Sequence, residues 1–237
     1  MQHISPSSLE DLSSRISYLS AFLDLTPSDG EALLAAKPLV APLIPTILDA
    51  VYRKLLSFDI TAKAFVPKNT DYEGELVKNV QELTLDHPQI ALRKDFLKVS
   101  DFSSSFNYLV KLVSTTDLTP TSPFWVYLNN VGIMHTGQPG FKHRVKRPEL
   151  RVEYIHMGAL LGYVVDIVVG AVMSMDVIDN DMKCKVIRAL NKVVWIQNDL
   201  MARHYLAKGG EEAGEAVTPP LSEGESEGVR GGCPFSG

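Results

Sequence analysis

Met157 to Met175 reads MGALLGYVVDIVVGAVMSM, a nearly unbroken apolar run whose length leaves few structures open to it. A helix of this length approaches a bilayer span. Asp166 stands in its middle, however, and a charge at the bilayer centre is expensive without a partner or a function. A helix that is apolar all round also suits the centre of a large helical core. The chain as a whole, 45% hydrophobic and 22% charged, has an ordinary globular composition, which favours the core helix over the membrane span.

Helical periodicity runs through the chain, and no convincing alternating strand interrupts it. Leu9, Leu12, Ile16, Leu19 and Leu23 trace an amphipathic helix with Ser7 or Ser8 as cap and Glu10 and Asp11 in its first turn. Thr26 and Pro27 then read as the N-cap and first position of a new helix. Pro38, Pro42 and Pro45 interrupt the next stretch, and a helix resumes through Ile44, Ile47, Leu48, Val51, Leu55 and Phe58 with Tyr52 on or beside its apolar face. A helix is expected from about Gly74 to Leu85, and His87-Pro88 breaks it. After Gln89 the helical pattern passes Phe96 and Leu97, then meets the polar, helix-poor stretch from Ser100 to Asn107. The remaining helices are expected from near Ser122 to Thr136, from near Glu149 to Met175 and from near Asp181 to Ala207. The basic segment 137–148 connects the first two of these.

With 237 residues the chain suits one sizeable core, and we expect one domain over 1–207. From Lys208 onward there are six Glu, half of all the glycines and almost nothing to bury, so 208–237 is expected to be a disordered acidic tail. That tail carries most of the net charge of -5. The body is nearly neutral, which offers no electrostatic footprint for nucleic acid. Cys184 and Cys233 lack metal spacing and do not suggest a structural disulfide. The N-terminus has neither a basic region nor an apolar run of the secretory kind, so a cytoplasmic location is expected.

One histidine stands out chemically. Leu128, Val131 and His135 fall at i, i+3 and i+7 and share a helix face. Gly132, one turn before His135, reads as room for something flat and bulky such as a haem. Neutral imidazole is a common iron ligand, and a proximal histidine is how helical proteins usually hold that group. The same spacing also fits a histidine satisfied within the core.

Several motifs in order carry a resemblance: Asp49-Ala-Val-Tyr52-Arg-Lys-Leu-Leu, Phe65-Val-Pro-Lys, Gln81-Glu-Leu-Thr-Leu-Asp-His-Pro-Gln, Leu92-Arg-Lys-Asp-Phe96-Leu-Lys, Tyr108-Leu-Val-Lys-Leu-Val, Tyr127-Leu-Asn-Asn-Val-Gly-Ile-Met-His135-Thr, Met157-Gly-Ala-Leu-Leu-Gly-Tyr163 and Trp195-Ile-Gln-Asn-Asp. Over about Leu9 to Leu206 the chain resembles the protoglobins and the globin domains of globin-coupled sensors. The resemblance implies an all-α globin fold of protoglobin type with an extra N-terminal helix, and haem b as cofactor. It makes His135 the proximal iron ligand and puts Tyr52 in the distal pocket, where a phenol can donate to a diatomic ligand such as O2, CO or NO. It also makes Phe96 the distal aromatic, and Leu128, Val131, Met157 and Leu161 contacts of the haem face. One departure stands out: Val99 to Asn107 reads as an insertion that breaks the distal helix, so that Phe106 could take the place of Phe96.

Among the other histidines, His87 reads as a capping or loop residue, His143 as part of a basic loop, and His204 as a residue that suits the C-terminal dipole of its helix. His156 is the rival ligand, one position off the Tyr154, Met157, Leu161 stripe. The basic cluster Lys142 to Arg147 could meet haem propionates or lie in solvent, and Cys233-Pro234 is a further, weaker haem motif. No peroxidase-like second catalytic group stands out, so gas binding, sensing or slow NO chemistry is expected rather than enzymatic turnover. By resemblance, the long final helices pair two copies in a homodimer. The rival reading is a cofactor-free helical interaction module, membrane-associated through 157–175.

Overall fold

The structure is a computed structural model that describes residues 1–67, 72–98, 117–137 and 151–206, with 95–98 described by backbone alone. Within these residues the regular elements are helices, with no strand beyond an isolated antiparallel bridge between Thr136 and Arg151. In chain order they are α1 (Leu12–Phe22), α2 (Pro27–Val40), α3 (Ile44–Leu56), the short α4 (Asp59–Ala62), α5 (Pro88–Lys98), α6 (Pro123–His135), α7 (Tyr154–Met173) and α8 (Asn180–Leu206). The insertion at 99–107, the basic cluster 142–147 and the tail 208–237 lie outside the described residues.

Local chemistry sets most of the helix starts. Asp29 at the third position of α2 reaches back to accept the Thr26 N–H at 2.7 Å, with Pro27 pre-set for the first turn. Ser122 caps α6, its hydroxyl oxygen accepting from the Phe124 N–H at 3.2 Å. The cap of α1 differs from the expectation at Ser7 or Ser8. Pro6–Glu10 forms a separate 3-10 turn, and the Asp11 carboxylate caps α1 by accepting from the Ser14 N–H at 2.8 Å.

The helix expected between Gly74 and Leu85 is mostly loop, with one 3-10 turn at Val80–Glu82. Side chains there satisfy the backbone in place of helical bonds. Tyr72 donates its hydroxyl to the Glu75 carbonyl at 3.1 Å, Glu82 accepts the Lys78 N–H at 2.9 Å, and Asn79 accepts the Glu82 N–H at 3.2 Å.

The centre of the molecule is α8, which packs against α1, α2, α6 and α7. Its Ala189, Val193, Ile196 and Leu200 are fully buried. The apolar run of the sequence forms α7 but does not take the central place. It buries Met157, Leu161, Val168 and Val172, while Ile155 and Met173 are 71% and 54% exposed and Asp166 faces out. A helix apolar all round carries no polar side to mark its outward face, so composition could not locate it. The stretch 27–56 and α7 are long and apolar enough to cross a membrane, a test that core helices of soluble proteins also pass.

Three basic side chains pin the N-terminal helices to α8. Arg15 donates to both oxygens of Asp199, at 2.5 and 2.7 Å. Lys192 donates to the Asp24 carbonyl at 2.7 Å and to Asp29 at 3.0 Å, and Arg203 donates to the Glu10 carbonyl at 2.6 Å. On the other side α3 packs against α7 and α5. Lys94 of α5 reaches Asp49 of α3 at 3.0 Å.

Candidate functional site

His135 is the last residue of α6, and its ring is directed by its own helix. Nδ1 lies 2.7 Å from the Val131 carbonyl oxygen, one turn back. A carbonyl can only accept, so Nδ1 carries the hydrogen, and in the neutral form of such a ring Nε2 is the basic nitrogen. This is the orienting arrangement that metal-binding histidines use, the second nitrogen donating to a backbone carbonyl.

The peptide of His135 is held as well. Its carbonyl accepts from the Val152 N–H at 2.9 Å and from the Tyr205 hydroxyl at 3.2 Å. The same hydroxyl donates to the Val152 carbonyl at 2.6 Å. Thr136, next in the chain, is buried and bridged to Arg151. The end of α6 is thus tied to the strand-like turn before α7 and to the last turn of α8.

Gly132 does not open a space for a cofactor. A Cβ there would stand 2.7 Å from the Leu200 carbonyl oxygen, 3.1 Å from the His204 ring and 3.2 Å from the Met201 Cα. The bulky object that needs the glycine is α8 itself. His204 sits against this contact, with Nε2 donating to the Asn129 side-chain oxygen at 2.9 Å. Burial pushes its pKa down, with the Arg203 charge acting the same way and the Asn129 backbone carbonyl opposing. The expectation of a dipole partner at a helix end misses this contact with α6.

Tyr52 of α3 is buried, 6% exposed, in a small apolar cluster with Val77, Leu83 and Ile90, separate from the main core. Its ring lies 5.7 Å from that of Phe65. Burial pushes its phenol up to about 12, against the opposing charge of Arg93. The group therefore holds its proton at neutral pH and can act as a donor, and its hydroxyl makes no hydrogen bond to the described residues.

Two α5 residues that carry no clear mark in the sequence frame Phe65. Gln89, fully buried, donates its amide to the Phe65 carbonyl and to the Pro67 carbonyl, the latter at 3.1 Å. Arg93 donates to the Pro67 carbonyl at 3.3 Å, and its guanidinium lies 5.3 Å from the centre of the Phe65 ring. The one available signal is slight: a Gln directly after His-Pro. His87 behaves as expected, its Nδ1 accepting the Gln89 N–H at 3.2 Å at the start of α5.

Leu128, Met157 and Leu161 are buried together in the main apolar cluster, with Val131 partly buried against it. Val51 belongs to the same cluster, while its neighbour Tyr52 belongs to the other. Phe96 lies on α5 with its side chain outside the described residues; Phe106, His143 and Cys233 lie outside them altogether. His156 sits in the first turn of α7, its N–H donating to the Glu153 carbonyl at 3.0 Å.

A haem fits this donor set. Among the described residues no group of three or more His, Cys, Asp or Glu converges as a metal site. An iron held through His135 alone would need its other donors from a ring that the protein does not supply. The imidazole of His135 and the protonated, buried phenol of Tyr52 are donor types that such a group uses.

The family model described as Protoglobin matches residues 12–211 of the chain. Among solved structures, the globin domain of the Geobacter sulfurreducens globin-coupled sensor aligns with a TM-score of 0.54 at 16% identity, covering 80% of this chain and 96% of that one. At such identity the likeness speaks for the fold alone. No curated protein matches the chain. The helices therefore form an all-α globin fold, with α1 and α2 laid along α8.

Proposed function

Because the chain belongs to the protoglobin family, we propose that this globin domain holds haem b through His135 and binds a diatomic gas, O2, CO or NO, on the side of Tyr52. The observation that carries the reading is the 2.7 Å bond from His135 Nδ1 to the Val131 carbonyl, which aims Nε2 away from the helix backbone as a metal base. Haem, when bound, supplies an iron with one open position for the gas. The chain has no Cys-x-x-Cys-His sequence, so the group is held without thioether bonds.

In this reading Tyr52 donates a hydrogen bond to the gas, and Leu128, Val131, Met157 and Leu161 line the porphyrin. Phe96 or Phe106 crowds the open position. The protein binds or senses gas and does not turn over a substrate, it works in the cytoplasm, and two copies pair through α7 and α8. Outward apolar residues on these two packed helices, Ile155 and Met173 on α7 and Trp195 on α8, support that pairing.

The test is the absorption spectrum of the reduced protein, expressed with haem supply, with and without CO. A Soret band that moves on CO addition is the expected result. A colourless, folded protein overturns the proposal and favours a cofactor-free helical interaction module, which the same exposed face would serve.

A further inference from the structure

We propose that Tyr205 of α8 is a positioning residue for the proximal histidine, acting through the His135 peptide from 70 positions further along the chain. This rests on the haem reading above. His135 ends α6, so its carbonyl is one of the four that a helix cannot satisfy from within. Two groups from outside satisfy it, the Val152 N–H at 2.9 Å and the Tyr205 hydroxyl at 3.2 Å. The single phenolic hydrogen is shared with the Val152 carbonyl at 2.6 Å. One hydroxyl thus joins the last turns of α6 and α8 to the turn that leads into α7.

The phenol is itself held in place. The Tyr154 ring lies 5.7 Å away at an angle of 48°, and the Arg151 guanidinium lies 5.6 Å from the ring centre. The position of His135 Nε2 then has two determinants. The bond to Val131 sets how the ring is turned relative to the helix, and the Tyr205 hydroxyl, together with the Val152 N–H, sets where the last peptide of that helix lies. Removing the hydroxyl leaves the first determinant intact and weakens the second, since the Val152 N–H alone then holds the carbonyl. The ring still points outward, but from a helix end held by one bond fewer.

The experiment compares Tyr205→Phe with Tyr154→Phe in the full chain loaded with haem. The second variant is the matched control: it removes a hydroxyl from the neighbouring ring, which donates to the Asn198 side-chain oxygen at 2.9 Å and makes no bond to His135. Three readouts are taken: the iron–histidine stretching band by resonance Raman, the CO dissociation rate, and amide hydrogen exchange at Val152. Tyr205→Phe is expected to shift or broaden the band, change CO dissociation severalfold and speed Val152 exchange about fivefold, the loss expected for one ordinary hydrogen bond. Tyr154→Phe should leave the band and the CO rate as they are.

Equal effects of the two variants on the band overturn the role, since the change then comes from general loosening. A Tyr205→Phe protein that takes up haem normally with an unchanged band and CO rate also overturns it, and leaves the haem reading standing. A parent chain that takes up no haem overturns both.

Discussion

The carbonyl oxygen of Leu200 lies 2.7 Å from the point where a Cβ on Gly132 would stand. Helices α6 and α8 therefore touch backbone to backbone beside His135, and only glycine allows it. Gly132→Ala should destabilise the fold by about 1–3 kcal/mol through overpacking. On helix propensity alone the same change would stabilise by about 1 kcal/mol, so the sign of the shift in a chemical-denaturation midpoint decides between close packing and open space at this position.

His135→Ala should abolish stable haem retention, or leave a reduced-CO spectrum unlike that of the parent. His156→Ala should leave both unchanged. A reversed pattern in visible absorption would move the ligand to the first turn of α7.

Donation to the gas by the Tyr52 phenol is tested by removing its hydroxyl. Tyr52→Phe should speed O2 dissociation severalfold, the value of one hydrogen bond being on the order of 1 kcal/mol, and leave CO dissociation nearly unchanged. Because burial holds the phenol near 12, the O2 rate of the parent should stay flat between about pH 6 and 9. Stopped-flow displacement of each gas measures all three. Equal responses of O2 and CO would mean that the side chain shapes the pocket and does not donate.

His204 makes stability depend on pH. Its pKa is pushed below the ordinary 6.5 by burial, with Arg203 and Arg15 adding like charge. The folded state therefore favours the neutral ring, and the unfolded chain takes up the proton first. The resulting stability is fully present above about pH 6.5 and is lost as pH falls toward the lower folded value. His204→Gln should remove that slope from the melting temperature measured between about pH 7.5 and 5, while the parent shows it.

Features set by neighbouring residues were legible in the sequence. Thr26-Pro27 and Ser122 mark helix starts because a cap acts over two or three positions, and the His135 stripe is visible because one helix face repeats every few residues. The misreadings share a different cause. Gly132 is matched to residues 68 to 72 positions further along, and the hydroxyl that reaches His135 comes from 70 positions away. No local pattern records such partners. Gln89 is only faintly marked in the sequence for the same reason, since the carbonyls it holds lie 22 and 24 positions earlier. The helix expected at 74–85 fails in the opposite way: its spacing is acceptable, but Tyr72, Asn79 and Glu82 offer the backbone closer partners.

The basic side chains that fasten α1 and α2 to α8 have a consequence for synthesis. Asp29 meets Lys192 across 163 positions, Asp199 meets Arg15 across 184, and Arg203 meets the Glu10 carbonyl across 193. At about 5–20 residues per second, a ribosome releases α8 on the order of ten seconds or more after α2. Through that interval Leu33, Ala36 and Val40 of α2, all buried in the finished protein, have no α8 to cover them. The nascent chain must wait with its first apolar surface open, and a chaperone that binds such surfaces has its longest opportunity there.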